Sequence, residues 1–131
     1  MIFTSYFGVL RKIDPDTKSI CIAVVPPYWY KGLRAIDDDI LSSVVPPRLL
    51  VGKYKAGKVT PEKYRDVYMM QLHASKKRVL EAAEFFDSIN AVLLCYERPD
   101  EFCHRQLLAE FLREEGYDVK EMVFPGDSNG K

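Results

Sequence analysis

Between Cys95 and Arg105 the chain reads Cys-Tyr-Glu-Arg-Pro-Asp-Glu-Phe-Cys-His-Arg. Two thiols, an imidazole, a guanidinium and several carboxylates share one short junction. Glu97 has the chemistry of a general base or a nucleophile. Pro99-Asp100 reads as a helix start with Asp100 as its N-cap, which puts Cys103, His104 and Arg105 in the first turns. Free amide donors and the helix dipole make that place positive. A thiol there ionises more readily, the more so beside Arg105. Arg105 can fork onto a carboxylate or phosphate, and His104 can carry a proton near neutral pH. Glu97, Cys103, His104 and Arg105 are therefore the candidate catalytic residues.

Each also has a plainer reading. Cys95 ends an apolar run, where a cysteine serves as a small hydrophobe. Cys103 can pack beneath the turn, His104 can cap it, and Glu97 with Arg105 can form an internal ion pair without catalysis. No metal is expected. The chain has no Cys-x2-Cys pair, and adjacent Cys103 and His104 are poorly spaced for tetrahedral ligation from a helix. Seven residues lie between Cys95 and Cys103, where redox dithiols have two. A glycine-rich dinucleotide fingerprint and a phosphate-loop lysine motif are both absent, so no cofactor is expected either.

The elements around the junction locate it. Ala91–Cys95 is an apolar strand, and an amphipathic helix follows with Leu107, Leu108, Phe111 and Leu112 inward and Gly116 as a left-handed cap. Open α/β folds bind ligands at such carboxyl strand ends. Ile2–Tyr6 is a first strand; if parallel to Ala91–Cys95, it brings Thr4, Ser5, Tyr6 and Gly8 to the same crevice. Val9–Ile13 is one helical turn before Asp14-Pro15-Asp16. Ser19–Val25 is continuously apolar, as in a strand buried on both faces, and Pro26-Pro27 ends it.

Residues 26–60 are irregular, with a short strand at Leu49–Val51. Within them Tyr28, Trp29, Lys31 and Arg34 interleave aromatic and basic groups that can stack a base and hold a phosphate. The same aromatics can instead plug a sheet edge. Thr60-Pro61 starts a helix with Tyr64, Val67, Tyr68 and Leu72 on one face. Ser75 caps another, with Val79, Leu80, Ala83 and Phe85 or Phe86 inward. Val119–Phe124 is a last strand, and 125–131 is a polar tail. The expected architecture is a single domain over 1–124: an α/β, Rossmann-like three-layer sandwich with a mostly parallel central sheet.

Composition sets the outer bounds. A chain of 131 residues, 47% hydrophobic, can bury a real core. Net charge is zero, which does not favour a general nucleic-acid coat. The first 60 residues carry nine basic and five acidic side chains, and the remainder reverse the sign. That asymmetry leaves room for a basic rim that attracts an anion, or simply for acidic exposed helices in the second half. Three cysteines cannot all pair, and no secretory leader or membrane span is visible, so free thiols in the cytoplasm are expected.

Leu93-Leu94-Cys95-Tyr96-Glu97 followed by Cys103-His104-Arg105-Gln106-Leu107-Leu108-Ala109 resembles the family called domain of unknown function 488. The resemblance extends to Thr4-Ser5-Tyr6, to the second strand ending in proline, and to the helix around Tyr64 and Tyr68. Many relatives open with a Thr-Ile-Gly-His-Ser type run and end the second strand with Asp-Val-Arg. This chain has Thr4-Ser5-Tyr6-Phe7-Gly8 and Ala23-Val24-Val25-Pro26 there, and looks like a shorter branch. The resemblance implies an α/β fold and a polar cluster at Cys95, Glu97, Cys103, His104 and Arg105, with no settled activity.

The functional expectation is an enzyme acting on a nucleotide, nucleoside or nucleic-acid end without a redox cofactor. Thr4, Ser5, Tyr6, Tyr28, Trp29, Lys31 and Arg34 are the candidate substrate-binding residues. The alternative is a non-enzymatic ligand- or nucleic-acid-binding module whose Glu/His/Arg cluster is a recognition or structural network. The expected partner is a small anionic or nucleotide-like ligand, with nucleic acid not favoured by charge and no membrane. The oligomeric state stays open.

Overall fold

A parallel sheet with a buried central strand organises the chain. The computed structural model describes residues 1–14, 16–98, 100–122 and 124. Its strands are β1 (Ile2–Tyr6), β2 (Ser19–Cys21), β3 (Leu33–Arg34), β4 (Val92–Cys95) and β5 (Val119–Glu121). They lie in the order β3-β2-β4-β1-β5, and every pairing is parallel. All four residues of β4 are buried, as expected of a strand covered on both faces and flanked on both edges. The α/β class and the parallel sheet are as the alternating pattern predicts. Tyr6 pairs with Cys95, so β1 and β4 end side by side.

The two faces are covered differently. One core cluster joins the sheet to the helices α1 (Arg48–Lys55), α2 (Pro61–Ala74), α3 (Lys76–Ser88) and α4 (His104–Glu114). The other holds Phe7, Val9, Ile13, Cys21, Ala23, Tyr30, Val92 and Leu94. Its cover is a 3-10 helix at Phe7–Lys12 and the loop carrying Tyr30.

Several local signals act as read. The Thr60 hydroxyl accepts from the Lys63 amide at 3.1 Å, and Pro61 begins α2. Tyr64, Tyr68 and Leu72 are buried along α2, and the α4 stripe is buried throughout. Gly116 takes φ +96, and the Gly116 and Tyr117 amides return to the Arg113 and Leu112 carbonyls. That is a left-handed close of α4 that a side chain would strain.

Other expectations need correction. Leu49–Val51 is not a strand but part of α1, because the backbone turns helical directly after Pro46-Pro47. The strand expected over Ser19–Val25 pairs only through Cys21, with one further bond from the Ile22 amide to the Leu94 carbonyl at 2.9 Å. Val9–Ile13 lies largely within the 3-10 helix. The N-cap of α4 is Cys103, not Asp100; its backbone is extended, at φ -152 and ψ 148. Strand β5 stops at Glu121. The expected continuation through Val123, the tail 125–131, and the turn and helix-start positions Pro15 and Pro99 lie outside the described residues.

A 3-10 helix at Leu41–Val44 leads into α1. Tyr68 donates to the Val44 carbonyl, and Gln71 Nε2 to the Ser43 and Val45 carbonyls at 3.1 and 2.9 Å. Helix α2 thereby fixes where α1 begins. The Thr60 cap should matter in turn. Thr60→Ala is expected to cost about 1 kcal/mol in chemical denaturation, while Thr60→Ser costs far less because serine caps equally well.

Candidate functional site

A cavity of about 670 Å³ opens at the carboxyl ends of β2 and β4, within the range of small-molecule sites. Ala23, Val24 and Val25 continue from β2 along one side, and Cys95, Tyr96 and Glu97 continue from β4. Helix α1 supplies the facing wall through Arg48, Val51, Gly52 and Lys55. These four share one helical face by their spacing. Tyr54, Tyr64 and Phe102 form an aromatic corner, with ring centroids 5.3 to 5.4 Å apart. Lys55 Nζ lies 5.7 Å from the centre of the Tyr96 ring, and the Tyr96 hydroxyl donates to the Val25 carbonyl at 2.7 Å.

Cys95, Cys103 and His104 also line the cavity. Cys95 and Cys103 are joined in a disulfide. The expectation of free thiols therefore holds only for Cys21, which is buried. The physical reason is that the extended N-cap of α4 lies back over the end of β4. Spacing along the chain did not reveal that return.

His104 is 6% exposed. Its Nε2 lies 2.8 Å from the Ile22 carbonyl oxygen, which can only accept, so Nε2 carries the proton. Nδ1 then presents its lone pair 3.9 Å from Cys103 Sγ. Burial lowers the His104 pKa to about 4, opposed by the Ile22 hydrogen bond and assisted by the Arg105 charge. The imidazole is accordingly neutral at neutral pH, where the sequence suggested a proton carrier.

Arg105 is 0% exposed. Its Nε and Nη2 donate to the two carboxylate oxygens of Glu121 at 3.1 and 2.8 Å. Nη1 donates to Cys95 Sγ at 3.0 Å and to the Glu97 carbonyl at 2.6 Å. The guanidinium thus faces protein groups rather than an incoming anion. Glu97 meets it through its backbone and not its carboxylate. That carboxylate lies close enough to Tyr64 to raise the phenol's pKa, second to burial.

The remaining candidates lie elsewhere. Thr4 donates to Glu121 Oε1 at 2.7 Å and Ser5 to the Met122 carbonyl at 3.0 Å, so both are buried in the β1–β5 seam. Tyr6 is half-buried and packs with the second core cluster. Trp29 stands edge-on to Phe7, 6.1 Å between centroids, while Tyr28 is 99% exposed. Lys31 is exposed, and Arg34 pairs with Asp37 at 2.6 Å. None of these lines the cavity. Arg48, Lys55, Tyr54, Glu101 and Phe102 line it without having been expected to, and so does Tyr64, which was expected only in the core. The 48, 51, 52, 55 spacing carried the signal for α1.

A family model described as DUF488-N3a, the active DUF488-N3 subclade, matches residues 9–116. The chain belongs to this family. Its Cys95-x-Glu97 and Cys103-His104-Arg105 motifs meet at the cavity, with Arg105 behind its wall. Curated proteins and solved structures give no match. No helix among the described residues is long and apolar enough to cross a membrane.

Two measurements check the DUF488-N3a junction. The unfolded His104 titrates near 6.5 and the native one near 4. Its contribution to stability is therefore complete above pH 6.5 and is lost as pH falls through that window. With the disulfide intact, the unfolding free energy from urea titrations should drop by up to about 1.4 kcal/mol per pH unit there. His104→Gln, which can still donate to the Ile22 carbonyl, should flatten that slope. Arg105→Met leaves Glu121 without its cation and should cost about 3–5 kcal/mol in the same assay.

Proposed function

We propose that this DUF488-N3a chain is an enzyme acting on a nucleotide, nucleoside or nucleic-acid end, with Glu97 as general base. One observation carries the reading. A single cavity combines an aromatic corner, two cationic side chains and two carboxylates, Glu97 and Glu101, at the carboxyl edge of a parallel sheet. Tyr54, Tyr64 and Phe102 offer flat faces to a base. Arg48 and Lys55 offer charge to a phosphate, and Glu97, two residues past the end of β4, lines the same cavity. The family description, with its word active, supports an enzyme over a scaffold. The cations differ from those read in the sequence: Arg48 and Lys55 take the place of Lys31, Arg34 and Arg105.

The test is a panel of nucleosides, mono- and diphosphates and short oligonucleotides, assayed for turnover. Glu97→Gln should lower kcat by about 10²–10⁴-fold while leaving the circular dichroism spectrum intact. Arg48→Ala should raise KM about tenfold for phosphorylated substrates and little for nucleosides. Binding without turnover by the folded wild-type chain would assign it to a recognition module instead.

A further inference from the structure

We propose that, when the disulfide is reduced, Cys95, Cys103 and His104 form a three-ligand site for a zinc-class divalent cation whose fourth position opens into the cavity. This does not rest on the nucleotide reading. The two sulfurs and the His104 ring nitrogen all lie within 4.8 Å of one another, and all three residues are buried. Zinc bonds of about 2.0–2.3 Å to nitrogen and sulfur give tetrahedron edges of roughly 3.3–3.8 Å, so once the S–S bond is broken the sulfurs must part, while the sulfur–nitrogen separations need close by no more than about 1.5 Å.

Adjacent Cys103 and His104 would be a poor pair within a helix. Cys103, however, is the extended N-cap and His104 the first helical residue, so Sγ and Nδ1 converge to 3.9 Å. The Cα atoms of Cys95 and Cys103 are 7.6 Å apart, beyond the usual disulfide span of about 4.4–6.8 Å. That leaves backbone room for an ion between two thiolates.

The surroundings are those of a ligand set. His104 Nε2 donates to the Ile22 carbonyl at 2.8 Å, which fixes the ring and leaves Nδ1 free to coordinate. Arg105 donates to Cys95 Sγ at 3.0 Å, and a guanidinium favours that sulfur as a thiolate. Two thiolates neutralise a divalent cation, so the buried site would carry no net charge. Three protein ligands with an open fourth place is the arrangement of catalytic rather than structural zinc. The chemistry balances simply. A phosphine reductant and one water cleave the S–S bond, the phosphine being oxidised to its oxide with the water's oxygen while the water's two protons make the thiols, and the ion displaces both protons on binding.

Cobalt(II) is the probe. The reduced full chain, kept free of oxygen, should take up one cobalt ion. It should then show thiolate-to-metal charge-transfer absorption and tetrahedral visible bands, both reversed by zinc. Cys103→Ser preserves the N-cap and should weaken cobalt binding by more than the roughly 10–100-fold that loss of an outer partner costs. Cys21→Ser should change nothing. A second readout needs no variant: zinc should slow alkylation of Cys95 and Cys103, which line the cavity, in the reduced wild type and leave buried Cys21 as it was. A reduced chain that takes up no cobalt, a Cys103→Ser chain that binds as wild type does, or Cys95 and Cys103 alkylated alike with and without zinc would each overturn the site.

Discussion

The buried guanidinium of Arg105 is the interaction on which the rest of this structure depends. It comes from the first turn of α4 and reaches the end of β4 through Cys95 Sγ and the Glu97 carbonyl. It reaches β5 through both oxygens of Glu121. Glu121 in turn accepts from Thr4 on β1. One cation therefore ties together three adjacent strands and α4, the helix that links β4 to β5 in the chain. Burying it is tolerable only because its donors are matched by fixed acceptors. It holds the strand end and the helix start in a set relation, and with them the two sulfurs and His104.

The opposite side of the cavity is set by a separate chain of contacts. Tyr68 and Gln71 of α2 hold the carbonyls of residues 43–45. Those bonds position α1, and α1 presents Arg48 and Lys55. Tyr54, Tyr64 and Phe102 close the corner where α1, α2 and the loop before α4 meet. The polar floor and the cationic wall thus belong to different packing units, and the cavity lies in their seam.

What the sequence made legible was local. Thr60-Pro61, Gly116 and the Leu107–Leu112 stripe each act over one turn or one helix face, so short-range rules sufficed. That a crevice lies at the end of β4 was also legible, because an apolar strand followed by polar residues and a helix is itself a local pattern. What was hidden depends on register and on loop course. Glu121 as the partner of Arg105 follows from the pairing of Thr4 with Glu121 across the β1–β5 seam. The start of α4 was misplaced because Pro99-Asp100 is a strong start signal, whereas cysteine is an uncommon N-cap. Helix α1 was hidden by Pro46-Pro47 before it and Gly52 within it, both of which read as irregular chain.

The strand order has a consequence for how the chain comes together. Phe3 has its partners in Val92, beyond three α-helices, and in Lys120, beyond four. An emerging polypeptide would hold β1 without a neighbour until β4 had left the ribosome. Helices α2 and α3 can pair locally in the meantime, whereas the sheet must wait for long loops to close. Ile2 and Phe3 would spend that interval as an unpaired apolar strand, open to misassociation. Synthesis speed and chaperone occupancy over the middle third of the chain therefore bear on its yield more than the modest size of the fold suggests.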